Sequence, residues 1–155
     1  MPATDASLVF QNMIYAFQEA NTFNYSQTIS DSSFNFKASA RALQRYVELA
    51  DWSKTKEQGY FNNVIISLPK YSKITLEFNT IASTNYSDSS EFVKTYILTV
   101  PNSAGDGHSK VYKGQAQFTL GRDPLKGSWY IRRWSDYELN SSDSTWSDLK
   151  GSSVN

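Results

Sequence analysis

The sequence predicts a single α+β domain, in which N-terminal helices pack on a curved, mostly antiparallel sheet. A chain of 155 residues can bury most of its apolar surface in one domain without a disulfide or a metal. Apolar residues recur with the helical period of 3.6 before Pro69, and they alternate with a period of two after it. Because helices come first and strands follow as a run, the pattern favours α+β over an alternating parallel-sheet fold. The domain is expected to span residues 1–155, with an ordered core over about 5–150.

The first helix is predicted over residues 7–20. Its apolar side chains share one arc of a helical wheel, and polar side chains fill the other side. The inward arc consists of Val9, Phe10, Met13, Ile14, Ala16, Phe17 and Ala20. Thr4 or Asp5 can cap the helix by accepting from its free amides. Leu8 and Tyr15 lie on the polar side, either as ordinary exposed residues or as part of a partner contact.

The following segments are predicted to alternate between short elements and helices. Residues 23–29 form a short helical turn that packs Phe23 and Tyr25, and residues 34–36 form a short edge strand. A second clear helix is predicted over residues 41–51. Its inward arc consists of Ala42, Leu43, Tyr46, Val47, Leu49 and Ala50.

A third helix is predicted from Ser53, which can cap it, through Asn63. Its inward side chains are Tyr60, Phe61 and Val64. Gly59 weakens this helix by about 1 kcal/mol relative to alanine.

Strands are predicted after Pro69, and they form an antiparallel meander. They cover residues 74–79, 92–100, 111–120 and 128–138. Both faces of the second are rather apolar, which indicates a central strand. The third alternates most regularly, with Tyr112, Gly114, Ala116, Phe118 and Leu120 inward and Lys113, Gln115, Gln117 and Thr119 outward.

The last strand contains a change of parity. Trp129 and Ile131 share one parity, whereas Trp134 and Asp136 have the other. Either both faces of this strand are buried, or a bulge near residues 132–133 brings both tryptophans to one face. We favour the bulge, because a strongly curved sheet needs one.

Three segments together resemble the nuclear transport factor 2-like superfamily, which includes proteins like ketosteroid isomerase and polyketide cyclases. They are the Phe-rich first helix, the strand at 112–120 and the segment at 127–136. A strand that reads W-x-I-x-x-W-x-D after a glycine turn, together with the closing segment 146–151, is similar to small exported bacterial lipoproteins without an assigned activity. The resemblance implies a cone with a cavity between sheet and helices, and often a dimer through the open face of the sheet.

Composition excludes several classes of function. Fifteen basic residues balance fifteen acidic ones, which argues against a nucleic-acid binder and against a polybasic membrane anchor. Cysteine is absent, and this removes disulfides, thiolate nucleophiles and Cys-ligated zinc. No metal or other cofactor is predicted. Abundant Ser, Asn and Thr favour an exported protein, periplasmic or tethered to a membrane, and a cytoplasmic location stays open.

Catalytic members of the superfamily place Asp, Glu, His or Tyr inside the cone, and this sequence departs from that pattern. Its one histidine, His108, lies in the loop with Gly105, Asp106 and Gly107, which predicts an exposed side chain. Asp136 is the best candidate for a functional acid, because it follows the aromatic cluster of the last strand. The alternative is a structural carboxylate paired with an arginine of residues 132–133 or with a backbone amide.

The aromatic side chains either line an apolar pocket or simply pack the core. Gly114 and Ala116 favour a pocket, because small inward residues leave room. The predicted ligand-binding residues are Phe17, Trp52, Tyr96, Tyr112, Gly114, Ala116, Trp129, Trp134 and Asp136.

The preferred functional prediction is a non-catalytic extracytoplasmic module that binds a small apolar ligand or a partner protein. One alternative is an isomerase or cyclase with Asp136 as base and Tyr112 or Tyr96 as hydrogen-bond donor. Another is a structural homodimer that associates through the sheet face carrying Lys113, Gln115 and Gln117.

Overall fold

The computed structural model describes residues 3–102 and 109–154. Its helices are α1 (Leu8–Gln18), α2 (Thr22–Gln27), α3 (Ala40–Arg45), α4 (Lys54–Ile66) and α5 (Trp146–Ser153), with a 3-10 helix at Val47–Asp51. Its strands are β1 (Asn35–Lys37), β2 (Thr75–Asn85), β3 (Ser89–Pro101), β4 (Ser109–Arg122) and β5 (Trp129–Tyr137). The helices cover one face of a single mixed sheet, which confirms the predicted α+β class.

The sheet has the strand order β1-β5-β4-β3-β2. The pairs formed by β2 to β5 are antiparallel, whereas the short edge strand β1 runs parallel to β5. β3 and β4 alternate regularly between buried and exposed residues, because one face packs on the helices and the other faces solvent. The outward positions of Lys113, Gln115 and Gln117 are as predicted.

A bulge in β5 has the position that the sequence favours. Thr119 pairs with Arg133 and Leu120 pairs with Ile131, which leaves Arg132 as the extra residue. The parity of β5 changes at this point, so that Ile131, Trp134 and Asp136 are all buried against the helices. Trp129 remains only half-buried near the start of the strand.

Helix α1 buries five of the seven predicted inward residues, Val9, Phe10, Met13, Ala16 and Phe17. Ala20 is exposed and adopts a positive φ of 52°, because the chain leaves the helix there through a left-handed turn. The predicted caps are also wrong. Ser7 occupies the N-cap position without a side-chain bond, while Asp5 accepts from the Ser7 amide.

Four further predicted core residues are exposed, namely Phe23, Leu43, Val47 and Ala50. Phe23 on α2 is 71% exposed, whereas Tyr25 two residues later is buried. The helix predicted over residues 41–51 is broken at Tyr46, whose backbone is extended, and Val47 is 75% exposed after the break. The break places the ring of Tyr46 against Gly151 of α5, where any side chain on the glycine would collide with it.

Helix α4 begins as predicted, because the side chain of Ser53 accepts from the amide of Lys56 at 3.2 Å. Tyr60, Phe61 and Val64 are buried on it, and Glu57 is buried with them. Helix α5 was not predicted. It starts with a capping box in which Thr145 and Asp148 exchange side-chain bonds to backbone amides.

Candidate functional site

Eight of the nine predicted ligand-binding residues are buried between the sheet and the helices. The exception is Trp129, which lies at the edge. Trp146 of α5, which the sequence prediction did not include, is in the middle of this cluster. Its ring centroid lies 4.5 Å from that of Trp134, 5.1 Å from that of Tyr96 and 5.8 Å from that of Phe17.

The hollow that small residues predicted beside β4 is filled. A Cβ on Gly114 would lie 2.6 Å from the Tyr96 hydroxyl and 2.7 Å from the carbonyl oxygen of Tyr137. Ala116 has no exposed surface. The small residues therefore make room for neighbouring side chains rather than for a ligand. That the cone residues hold a ligand stays a prediction.

Asp136 is completely enclosed and binds the start of α5. Its Oδ1 accepts from the Tyr96 hydroxyl at 2.7 Å, and its Oδ2 accepts from the Ser147 amide at 2.8 Å and from the Ser147 hydroxyl at 2.5 Å. The Tyr96 hydroxyl in turn accepts from the Trp146 amide at 2.8 Å. These bonds satisfy donors at a helix N-terminus, where a carboxylate is stabilised.

This geometry supports the structural alternative for Asp136 in its backbone-amide form. Burial raises the pKa of the Asp136 carboxyl, and the hydrogen bonds from Ser147 and Tyr96 oppose that rise. Burial also raises the pKa of Tyr96 well above its usual value. A general base must reach the proton that it removes, and both oxygens of Asp136 already accept from the protein.

A second buried polar cluster centres on Glu57 and Lys150, and the sequence analysis missed it. Lys150 Nζ lies 2.9 Å from both carboxylate oxygens of Glu57. Glu57 also accepts from the Tyr25 hydroxyl at 2.7 Å and from the Trp52 indole N–H at 2.6 Å. The Tyr60 hydroxyl contacts that of Tyr25. The one available signal was the position of Glu57 on the buried arc of α4.

Desolvation dominates the titration of this cluster. Burial lowers the pKa of Lys150 to about 8, and the charge of Glu57 opposes the shift. Burial raises the pKa of Tyr25 and of Tyr60 well above the usual value. The ammonium also lies 3.4 Å from the ring centroid of Trp134, a favourable cation–π position. The Trp134 indole N–H has no acceptor within the described residues.

A lateral groove of about 850 Å³ opens on the outside of the molecule. We define it by the side chains of α1 and α2 on one side, residues 27–32 at its base, and the β4–β5 turn on the other side. Four aromatic residues line it. Phe23 is 71% and Tyr15 50% exposed, while Trp129 and Tyr130 are half-buried.

The charges along the lateral groove are largely compensated. Lys54 bonds to Asp31 and donates to the carbonyl oxygen of Ile29 at 3.2 Å. The hydrogen bond from Lys54 lowers the pKa of Asp31, and the charge of Lys126 contributes to the shift. Asp123 accepts from two amides of its own turn. Of the nine predicted site residues, only Trp129 lines this groove.

The described ranges contain neither a metal-binding cluster nor a membrane-spanning helix. Over residues 3–102 and 109–154, no three His, Asp or Glu side chains lie close enough together to hold a metal ion. Over the same ranges, no helix has the length and apolar content needed to cross a bilayer. The loop with Gly105, Asp106, Gly107 and His108 lies outside the described residues, so the exposure predicted for His108 stays a prediction.

No family model matches the sequence, and no curated protein matches it. Solved structures do resemble the fold. A conserved protein from Planctomyces limnophilus has a TM-score of 0.69 at 13% identity, with 84% of this chain and 91% of that chain covered. A nuclear transport factor 2-like superfamily protein from Salmonella enterica serovar Typhimurium has a TM-score of 0.61 at 13% identity, with 87% and 89% covered.

An NTF2-like protein of unknown function in nutrient uptake from Rhodospirillum rubrum gives a TM-score of 0.61 at 12% identity. It covers 88% of this chain and 99% of its own. At such identities the likeness concerns the fold alone. The resemblance that the sequence indicates is confirmed at this level: the chain has the cone-shaped α+β fold of nuclear transport factor 2-like proteins.

Proposed function

We propose that this protein is a non-catalytic binding module and that its ligand occupies the lateral groove. One observation carries the proposal. Within the described residues, the rings of Tyr15, Phe23, Trp129 and Tyr130 make no ring–ring contact, whereas the interior rings pack densely on one another. Concave surfaces with aromatic rings and several polar groups are where proteins usually bind ligands. An exposed aromatic cluster is also more informative than single exposed apolar residues.

The interior gives less support to an isomerase or cyclase. Its two most deeply buried carboxylates, Glu57 and Asp136, each bind three protein donors. Residues of α5 bind both acids, Ser147 at Asp136 and Lys150 at Glu57. A substrate would therefore have to displace part of α5 before it met either acid.

Amide NMR spectra test the groove directly. We expect one class among neutral oligosaccharides, amino acids, organic anions and small aromatics to shift amide signals of groove residues such as Asn24, Gln27 and Lys126. A bound ligand changes the environment of the residues that it contacts. Shifts confined to interior signals, such as that of the Trp134 indole N–H, would instead indicate that the ligand binds inside the cone. No shift with any class would contradict the proposal.

We also propose that two copies associate through the outer face of the sheet. Glu77, Ile97 and Lys113 are neighbours in one cross-strand row on that face. In an isologous two-fold arrangement, Glu77 of one copy can meet Lys113 of the other. A monomer by light scattering at high concentration would contradict this arrangement.

A location outside the cytoplasm stays a prediction, and cell fractionation can test it.

A further inference from the structure

The exposed rings of the lateral groove have apolar faces and polar tips. Phe23 on α2 presents a bare ring, and Tyr15 on α1 presents a ring with a hydroxyl. Tyr and Trp typically contact ligands with one apolar surface while the O–H or N–H finds a hydrogen-bond partner. A ligand that fits must therefore offer flat C–H surfaces together with hydrogen-bonding groups at its edges.

Hydrogen-bonding side chains with unused capacity lie beside those rings. Within residues 3–102 and 109–154, the side-chain amides of Asn24 and Gln27 bond to no protein group. The same holds for the indole N–H of Trp129 and the hydroxyl of Tyr15. An amide offers both donors and acceptors, which suits hydroxyl groups that can act as either.

The charge of the groove argues for an uncharged ligand. Its lining contains Lys54 and Lys126 against Glu19, Asp31 and Asp123. Lys54 is paired with Asp31, so no cluster of free cations is available for a phosphate or a sulfate. With two lysines against three carboxylates the lining is close to neutral, so its charge gives an ionic peptide little advantage over an uncharged ligand.

From these observations we infer that the lateral groove binds a neutral oligosaccharide, whose sugar rings stack on Phe23 and Tyr15 while its hydroxyls bond to Asn24 and Gln27. The inference rests on the proposed function, because it names the ligand class of the same groove. A volume of about 850 Å³ lies toward the upper end of typical ligand pockets, which favours several linked rings over one small molecule.

Calorimetric and NMR titrations with neutral glucose and N-acetylglucosamine hexasaccharides test the inference. We expect measurable affinity for at least one of them, and a weaker affinity for a galacturonic acid oligomer of equal length. Phe23→Ala is expected to weaken binding by roughly tenfold, about what 1.4 kcal/mol of lost stacking produces. Phe23 is largely exposed, so this variant should remain folded.

Tyr71→Ala is the matched control, since Tyr71 is 93% exposed and does not line the groove. It should bind the sugar as the unchanged protein does. Equal weakening by both variants, tighter binding of the acidic oligomer, or sugar binding that leaves groove amides unshifted would overturn the inference. If a non-sugar class shifts the groove amides, the ligand class is wrong while the proposed function stands. If no class shifts them, both are wrong.

Discussion

Replacing Glu57 by alanine is expected to lower the free energy of unfolding by about 3–5 kcal/mol, because one partner of a buried ion pair is removed. The change leaves three interior hydrogen-bond donors, those of Lys150, Tyr25 and Trp52, without their acceptor. Domains typically have a total stability of only about 5–15 kcal/mol. Urea denaturation followed by circular dichroism measures the loss.

The pH dependence of this loss identifies its cause. Glu57 raises the pKa of Lys150 against the effect of burial, so in the variant that pKa falls below its present value of about 8. The folded variant then releases this proton at a lower pH than the unchanged protein. Where the unfolded chain binds more protons, stability rises with pH. The stability gap between the two proteins should therefore narrow as pH rises toward 8.

Two further variants control the experiment. Asp88→Ala removes an exposed carboxylate of the β2–β3 turn and should change stability by no more than about 0.5 kcal/mol. Glu57→Leu combined with Lys150→Met removes both buried charges and should recover part of the loss, because apolar replacements of a buried pair are often neutral. An effect of Glu57→Ala as small as that of Asp88→Ala, or a stability gap that widens toward pH 8, would show that the pair does not stabilise the fold.

The parts of the fold that the sequence predicts well are those whose pattern is local. The buried arc of α1 and the alternation of β4 are set by spacing within one element, and both agree with the structure. The bulge at Arg132 was also predictable, because the change of parity between Ile131 and Trp134 is visible in the sequence. The break at Tyr46 was not, since it depends on packing against Gly151, far along the chain.

The buried polar clusters depend on distant partners and have no local pattern. Lys150 and Glu57 are separated by 93 residues, so the local sequence around each one does not predict its burial or its partner. Helix α5 was missed for a related reason. Its eight residues include three serines and one glycine, so tertiary contacts of Trp146 and Lys150 stabilise it more than intrinsic propensity does. The only local signal was the capping box of Thr145 and Asp148.

The sequence analysis predicted a hollow cone because it did not include helix α5. Gly114 and Ala116 predict a hollow only if nothing enters it from the other end of the chain. The closing segment supplies Trp146, whose indole N–H donates to the Tyr60 hydroxyl at 3.2 Å and whose ring packs on Trp134. Three of the residues predicted to hold an apolar ligand, Phe17, Tyr96 and Trp134, therefore pack on an aromatic side chain of the protein itself.

Trp146→Ala is accordingly expected to lower the free energy of unfolding by about 3–5 kcal/mol, the usual cost of removing a buried tryptophan. The substitution opens a cavity bordered by Phe17, Tyr96 and Trp134. Indole should then raise the melting temperature of the variant in a concentration-dependent way, since a ligand that binds only the folded state stabilises it by mass action. Thermal denaturation over a series of indole concentrations measures both effects.

Trp129→Ala provides the comparison, because Trp129 is only half-buried and lies outside this cluster. It should lose less stability than Trp146→Ala, and indole should stabilise neither it nor the unchanged protein. If indole stabilised the unchanged protein equally, the cone would already have an accessible site, and a small apolar ligand would become the better prediction. If indole stabilised none of the three proteins, the cone residues would not bind a free aromatic ring even after Trp146 is removed. Selective rescue would show that these residues can form an apolar site, and that α5 is what keeps it closed.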